Sequence, residues 1–139
     1  MFKHIIVPVD HAARPARRLA VAVQNLGPGG RITLLHVITQ MPGYLAPELH
    51  TTIYSRAGDE ADEALRALIE RDRLPENTQV SVVRGSIHRK ILGAVSDPND
   101  EAIVMASHNP TFSDFLIGSV AAQVVKHAHC SVFVVRHAD

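Results

Sequence analysis

The residues best placed to do chemistry stand in one stretch, "MASHNPTFSDFLIGS", residues 105–119. It leaves an apolar run at Met105, turns polar through Ser107, His108 and Asn109, and closes on Gly118-Ser119. Backbone N–H groups at a helix start, with the positive end of the helix dipole behind them, receive anionic oxygens without any lysine. A glycine there lets the backbone come close, and a serine hydroxyl can donate to a phosphate oxygen. The stretch thus reads as a backbone cradle for phosphates, although two positions where such a loop carries glycine hold Ala106 and Asn109. Asparagine tolerates left-handed backbone angles better than most residues, so Asn109 is compatible with the turn. Asp10, at the end of "HIIVPVD", adds a carboxylate that can bind ribose hydroxyls or hold Mg²⁺ between itself and phosphates.

The elements that must hold these residues in place follow from periodicity. The runs "HIIVPVD", "RITLLHVI", "QVSVVRG", "EAIVMAS" and "CSVFVVR" are short, rich in Val and Ile and nearly continuous, which predicts strands covered on both faces of a parallel sheet. Between them lie helical stripes. Ala16, Leu19, Ala20, Val23 and Leu26 form the first, stopped by Gly27-Pro28-Gly29-Gly30. Ala57, Ala61, Ala64, Leu65, Leu68 and Ile69 form the second, with Asp62 and Arg66 one turn apart on its wet side. Ser86 is expected to cap a third helix carrying Ile87, Ile91 and Val95, and Ser119 a fourth carrying Val120, Val124 and Ala128.

The order βαβαβαβαβ predicts an α/β fold: a single doubly wound five-stranded parallel sheet with helices on both faces. Residues 39–54, "TQMPGYLAPELHTTIY", are expected to form a long irregular loop. In such a sheet, ligands bind beyond the carboxyl ends of strands, where the strand order reverses. That rule selects Pro8-Val9-Asp10-His11, His36-Val37-Ile38 and Met105 to Asn109.

Composition narrows the partners. The 139 residues suit one domain, 1–139, with 46% apolar and 20% charged residues. Fourteen basic and fourteen acidic residues give no net charge, which argues against nucleic acid or an anionic membrane as partner. The single cysteine, Cys130, excludes an internal disulfide and is expected to behave as a small buried apolar residue. The apolar stretch ending at Pro8 is too short for a secretory core or a membrane span, so a cytoplasmic location is expected. There is no G-x-x-x-x-G-K-[ST], no G-x-G-x-x-G after the first strand, and no acidic pair at Asp10. P-loop, dinucleotide and phosphoacceptor chemistry are therefore set aside. Nine histidines include no H-E-x-x-H spacing. His108 is read as an exposed loop residue, and "ARPARR" as a solvated basic face.

Two stretches carry a family resemblance. "IVMASHNPTFSDFLIGSVAAQVVKHAHCSVFVVR" resembles the C-terminal signature of the universal stress protein family, and "HIIVPVD" is similar to that family's first strand with its ligand-facing Asp. The resemblance covers nearly the whole chain and weakens between residues 39 and 60. It implies an adenine-nucleotide alpha hydrolase-like fold, and a stress-response sensor or regulator that binds ATP or AMP. The family's nucleotide loop, G-x-x-G, nine residues, then G-[ST], falls on Ala106, Asn109, Gly118 and Ser119, with eight residues between Asn109 and Gly118.

By the same resemblance Val9 and Val37 flank the adenine, Asp10 reaches the ribose and Met105 floors the pocket. Ser107, His108, Asn109, Gly118, Ser119 and Val120 surround the phosphates, and Pro8 and Ala106 belong to the same binding set. The last strand, "SVFVVR", is expected at a sheet edge, where pairing with a second copy would make a homodimer; the resemblance implies the same. Hydrolysis is expected to be slow at most, because no base is placed for water and no Walker-type lysine is present. Two other readings stay open: a dimeric binding or scaffold module without nucleotide, and a hydrolase using His108.

Overall fold

The computed structural model describes residues 1–10, 15–39, 44, 47–107 and 118–136. Strand β1 (Phe2–Pro8) leads to helix α1 (Ala16–Asn25), and β2 (Leu26–Ile38) to α2 (Pro47–Arg71). Strand β3 (Gln79–Arg84), α3 (Ile87–Gly93), β4 (Glu101–Ala106), α4 (Ser119–His127) and β5 (Ser131–Val135) complete the order. The five strands form one parallel sheet in the order β3-β2-β1-β4-β5. The doubly wound α/β architecture expected from the sequence is therefore the one observed.

Side chains along each central strand alternate between two cores, which explains why the runs are continuously apolar. Ile5, Val7, Ile32, Leu34, Ala102 and Val104 face Leu19 and Ala22 of α1 and Leu65 and Leu68 of α2. Ile6, Leu35, Ile103 and Met105 face Ile91 of α3 and Ala121 and Val124 of α4. Strands β3 and β5 lie at the edges and are only half-buried.

The structure departs from the sequence reading at four places. Gly27-Pro28-Gly29-Gly30 does end α1, but it lies inside β2, where Phe2 pairs with Leu26 and His4 with Arg31, so the register skips. Of the expected loop, residues 47–54 are the first two turns of α2. Pro47 is preset for a first helical position, Glu48 suits the dipole there, and the hydroxyls of Thr51 and Thr52 donate back to the Pro47 and Glu48 carbonyls. Helix α3 stops at Gly93, leaving Val95 beyond it although still packed on the core. Finally, Gly118 and not Ser119 is the N-cap of α4, with extended backbone angles; Ser119 is the first helical residue. The Asp62–Arg66 pair forms at 2.8 Å, exposed to water.

Candidate functional site

The reversal of strand order falls between β1 and β4, and there the two strands part. Their ladder runs through His4–Glu101, Ile5–Ala102 and Ile6–Ile103 and then ends. On the other sides pairing continues, β1 with β2 as far as Pro8–Leu35 and β4 with β5 as far as Ala106–Val135. The sheet therefore splits at its carboxyl end into a crevice, with Val7 to Asp10 on one lip and Val104 to Ser107 on the other. Helix α1 leads away from the first lip on one face, and α4 begins near the second on the opposite face. This is the place where an open α/β sheet has room for a ligand.

Each lip is tied down by backbone bonds. The Val9 N–H donates to the Leu35 carbonyl at 2.8 Å, and His36 Nδ1 donates to the Val9 carbonyl at 2.9 Å. On the other side, the Ser107 N–H donates to the Val135 carbonyl at 3.0 Å, and the Ser107 carbonyl accepts the Gly118 N–H at 2.8 Å. That last bond brings the α4 start beside the end of β4 and so positions Gly118-Ser119-Val120 at the crevice. The Gly118 carbonyl accepts the Ala122 N–H at 3.0 Å. The N–H groups of the first turn, Ser119 to Ala121, have no partner inside the helix, and the Ser119 side chain is exposed.

The residues singled out by sequence take these positions. Pro8 and Asp10 stand at the mouth, Pro8 half-buried and Asp10 exposed. Val9 is buried among Val7, Leu19 and Val104, and both its backbone polar groups are engaged inside the protein. Val37 lies two residues past Leu35, the last β2 residue paired with β1, and packs with Met105 on the α3/α4 side. Ala106 is half-buried, and Ser107 is fully buried. His108 and Asn109, expected around the phosphates, lie outside the described residues.

One side chain in this region was misread. Arg18 belongs to "ARPARR", yet it is buried, 9% exposed, and its Nη1 donates to the Pro8 carbonyl at 2.7 Å. Burial pulls its pKa down, and the nearby Asp10 charge pulls it back up. The spacing held the signal, because Pro15, Arg18 and Ala22 recur at three and four, on the inner stripe of α1. Arg17 is exposed as expected.

A second polar cluster, also invisible in the sequence, lies at the opposite, amino end of the same β1–β4 seam. His4 Nδ1 donates to Glu101 Oε2, and His4 Nε2 meets Thr33 Oγ1 at 2.7 Å. The other oxygen, Glu101 Oε1, accepts the N–H groups of Ser96, at 2.6 Å, and Asp97. All three side chains are buried. A carboxylate offers only acceptors, so the His4 Nδ1 in this contact carries its proton, and the Thr33 hydroxyl holds the far side of the ring. Among the described residues no His, Cys, Asp and Glu cluster has the makings of a metal site.

The sequence pattern of the Universal stress protein family matches residues 1–136. The chain belongs to that family. It is 31% identical to universal stress protein G of Shigella flexneri, over 98% of this chain and all of that one. The protein of Escherichia coli O157:H7 gives the same figures. Among solved structures the fold matches the hypothetical protein MJ0577 with a TM-score of 0.81 at 24% identity, over 100% of this chain and 99% of that one. UspA of Lactobacillus plantarum matches at 0.68 and 23%, over 97% and 98%. No helix among the described residues is long and apolar enough to cross a membrane.

Proposed function

We propose that this universal stress protein binds an adenine nucleotide, ATP or AMP, in the β1–β4 crevice and acts as a sensor or regulator. The observation that carries the reading is the parting of β1 from β4 after Ile6–Ile103, which opens a slot directly beside the start of α4. Support comes from two proteins of the same fold. A universal stress protein of Archaeoglobus fulgidus, 20% identical with a TM-score of 0.56, has been solved with dAMP. Another universal stress protein, 14% identical with a TM-score of 0.62, has been solved with cAMP.

In this reading the base lies against Val37 and Met105, with Pro8 and Val9 as the opposite wall. Asp10 meets the ribose, or Mg²⁺ shared with the phosphates. The N–H groups of Ser119 and Val120, the Ser119 hydroxyl and the segment from Ala106 through Ser107, His108 and Asn109 to Gly118 receive the phosphates. Two copies pair through β5, and the protein works in the cytoplasm.

The test is to denature protein purified without added nucleotide and identify what it releases by mass spectrometry, then to titrate the emptied protein with AMP and ATP, with and without Mg²⁺. About one adenine nucleotide per chain, or a dissociation constant in the micromolar range, is expected. A protein that carries no nucleotide, and whose melting temperature ignores saturating AMP and ATP, would overturn the reading. One observation favours a nucleotide-free scaffold instead: Ala106 carries a side chain where the loop pattern has glycine, and the Ser107 N–H is already spent on Val135. That outcome would shift attention to the β5 edge.

A further inference from the structure

Arg18 breaks two local rules at once. It is the third residue of α1, where the helix dipole disfavours a cation, and it shares that first turn with Arg17 and with no acidic residue. The N-cap is Pro15, which has no side-chain donor or acceptor to offer, so the local positive potential is not offset by a cap. Arg18 is also buried, and a desolvated cation is costly unless it is paired and hydrogen-bonded. A guanidinium presents five N–H donors in a rigid fork and keeps its charge at any ordinary pH. Its hydrogen-bond acceptor among the described residues is one neutral carbonyl, that of Pro8. The Asp10 carboxylate is close enough to act on it electrostatically but is itself exposed to water.

Its place in the fold gives the excess charge a use. Helix α1 packs across β1, β2 and β4, so it lies over the seam that opens into the crevice. The Pro8 carbonyl that anchors the fork is on the crevice lip. Sites where dipole and solvation both oppose a residue are the sites where function compensates.

We propose that Arg18 is a specificity-determining residue of the crevice: anchored on Pro8, its guanidinium supplies the fixed positive charge that holds an anionic group of the ligand. The site then selects phosphorylated adenine compounds over uncharged nucleosides. The ligand class rests on the adenine-nucleotide reading above; the charge role does not.

The experiment is calorimetric titration of the wild type, Arg18→Gln and Arg18→Lys with adenosine, AMP and inorganic tripolyphosphate, with thermal melts to confirm folding. Gln can still donate to Pro8 but carries no charge, so it separates anchoring from charge. Arg18→Gln is expected to weaken AMP about tenfold or more while leaving adenosine within about twofold, since a charge-assisted hydrogen bond is the stronger kind. Arg18→Lys, which keeps the charge but loses the fork, is expected to weaken AMP about threefold; it carries the test if the Gln variant does not fold. Equal losses for AMP and adenosine would show a packing role and overturn the proposal, as would no loss for either. If the wild type binds no adenine compound, the nucleotide reading falls and Arg18 is judged on tripolyphosphate. Binding that disappears in Arg18→Gln sustains the charge role, and absence of binding in the wild type overturns it.

Discussion

The strongest stability prediction concerns Glu101. Its carboxylate holds three donors at once: His4 Nδ1–H, Ser96 N–H and Asp97 N–H. Glu101→Ala takes the acceptor from all three donors and leaves a cavity at the foot of the β1–β4 seam. A buried donor left without a partner costs about 1–3 kcal/mol, and breaking a buried charged network costs about 3–5 kcal/mol. Ser96 and Asp97 are exposed residues, so water can reach part of the loss, and the estimate falls near the lower bound at about 3 kcal/mol. For a chain of this length that lowers the melting temperature by roughly 10 °C. Glu101→Gln retains an acceptor for Ser96 and Asp97 but loses the charge and turns an amide N–H toward His4 Nδ1, which can accept it only in the other tautomer, so it should cost about 1 kcal/mol.

The pH dependence separates these two effects. Burial pushes the Glu101 pKa up, but the Asp97 N–H, His4 and the Ser96 N–H outweigh it, and the net direction is down. A carboxyl depressed in the folded state binds fewer protons there than in the unfolded chain. Stability therefore rises with pH across that window, is fully present above the ordinary carboxylate value, and is lost as pH falls through the folded value. Urea unfolding curves of wild type and Glu101→Gln, taken between about pH 3 and pH 7, should converge at the acid end, because the wild type loses what the variant never had. A loss below about 1 kcal/mol in Glu101→Ala at neutral pH, or parallel acid limbs in wild type and Glu101→Gln, would refute the reasoning.

Gly85 sits at φ +143° with its N–H on the Ile38 carbonyl, so Gly85→Ala should destabilise by about 2 kcal/mol in urea unfolding, mainly through backbone strain. A neutral substitution would mean the turn relaxes freely. If β5 pairs with a second copy, Val134→Lys should turn a dimer into a monomer in analytical ultracentrifugation, leaving nucleotide binding in place. A wild type that sediments as a monomer at tens of micromolar rejects the pairing outright.

What the sequence discloses is what has a local signal. Strands covered on both faces leave uninterrupted Val and Ile runs, and each helix leaves a stripe, so the element order and the doubly wound parallel sheet are legible in the sequence. The start of α2 was missed because two prolines and two threonines look like a loop, whereas Pro47 is preset for a helix start and Thr51 and Thr52 bond backwards. Arg18 was missed because the charge in "ARPARR" was weighed and the three-and-four spacing was not. The His4–Glu101 contact could not be seen at all. It joins residues 97 apart, and only the parallel register of β1 against β4 makes them neighbours.

That register also links the two ends of the seam. The β1–β4 ladder is the shortest in the sheet, because its carboxyl half is given up to form the crevice. The strands give up their mutual backbone pairing there. At the amino end the same two strands are joined by His4 and Glu101, with β2 drawn in through Thr33 and the α3–β4 connection through Ser96 and Asp97. A polar network within a low-dielectric core is rigid when fully satisfied, so it fixes the strand positions from which Asp10 and Ser107 diverge. Loosening it should therefore do more than lower stability: Glu101→Gln, though folded, should let the lips of the crevice move. Hydrogen exchange at the Val9 and Ser107 amides reads this directly. Faster exchange at both, with the β2–β3 amides unchanged, is the expected result. Exchange confined to Ser96 and Asp97 would show that the network holds only its own loop and that the two ends of the seam are independent.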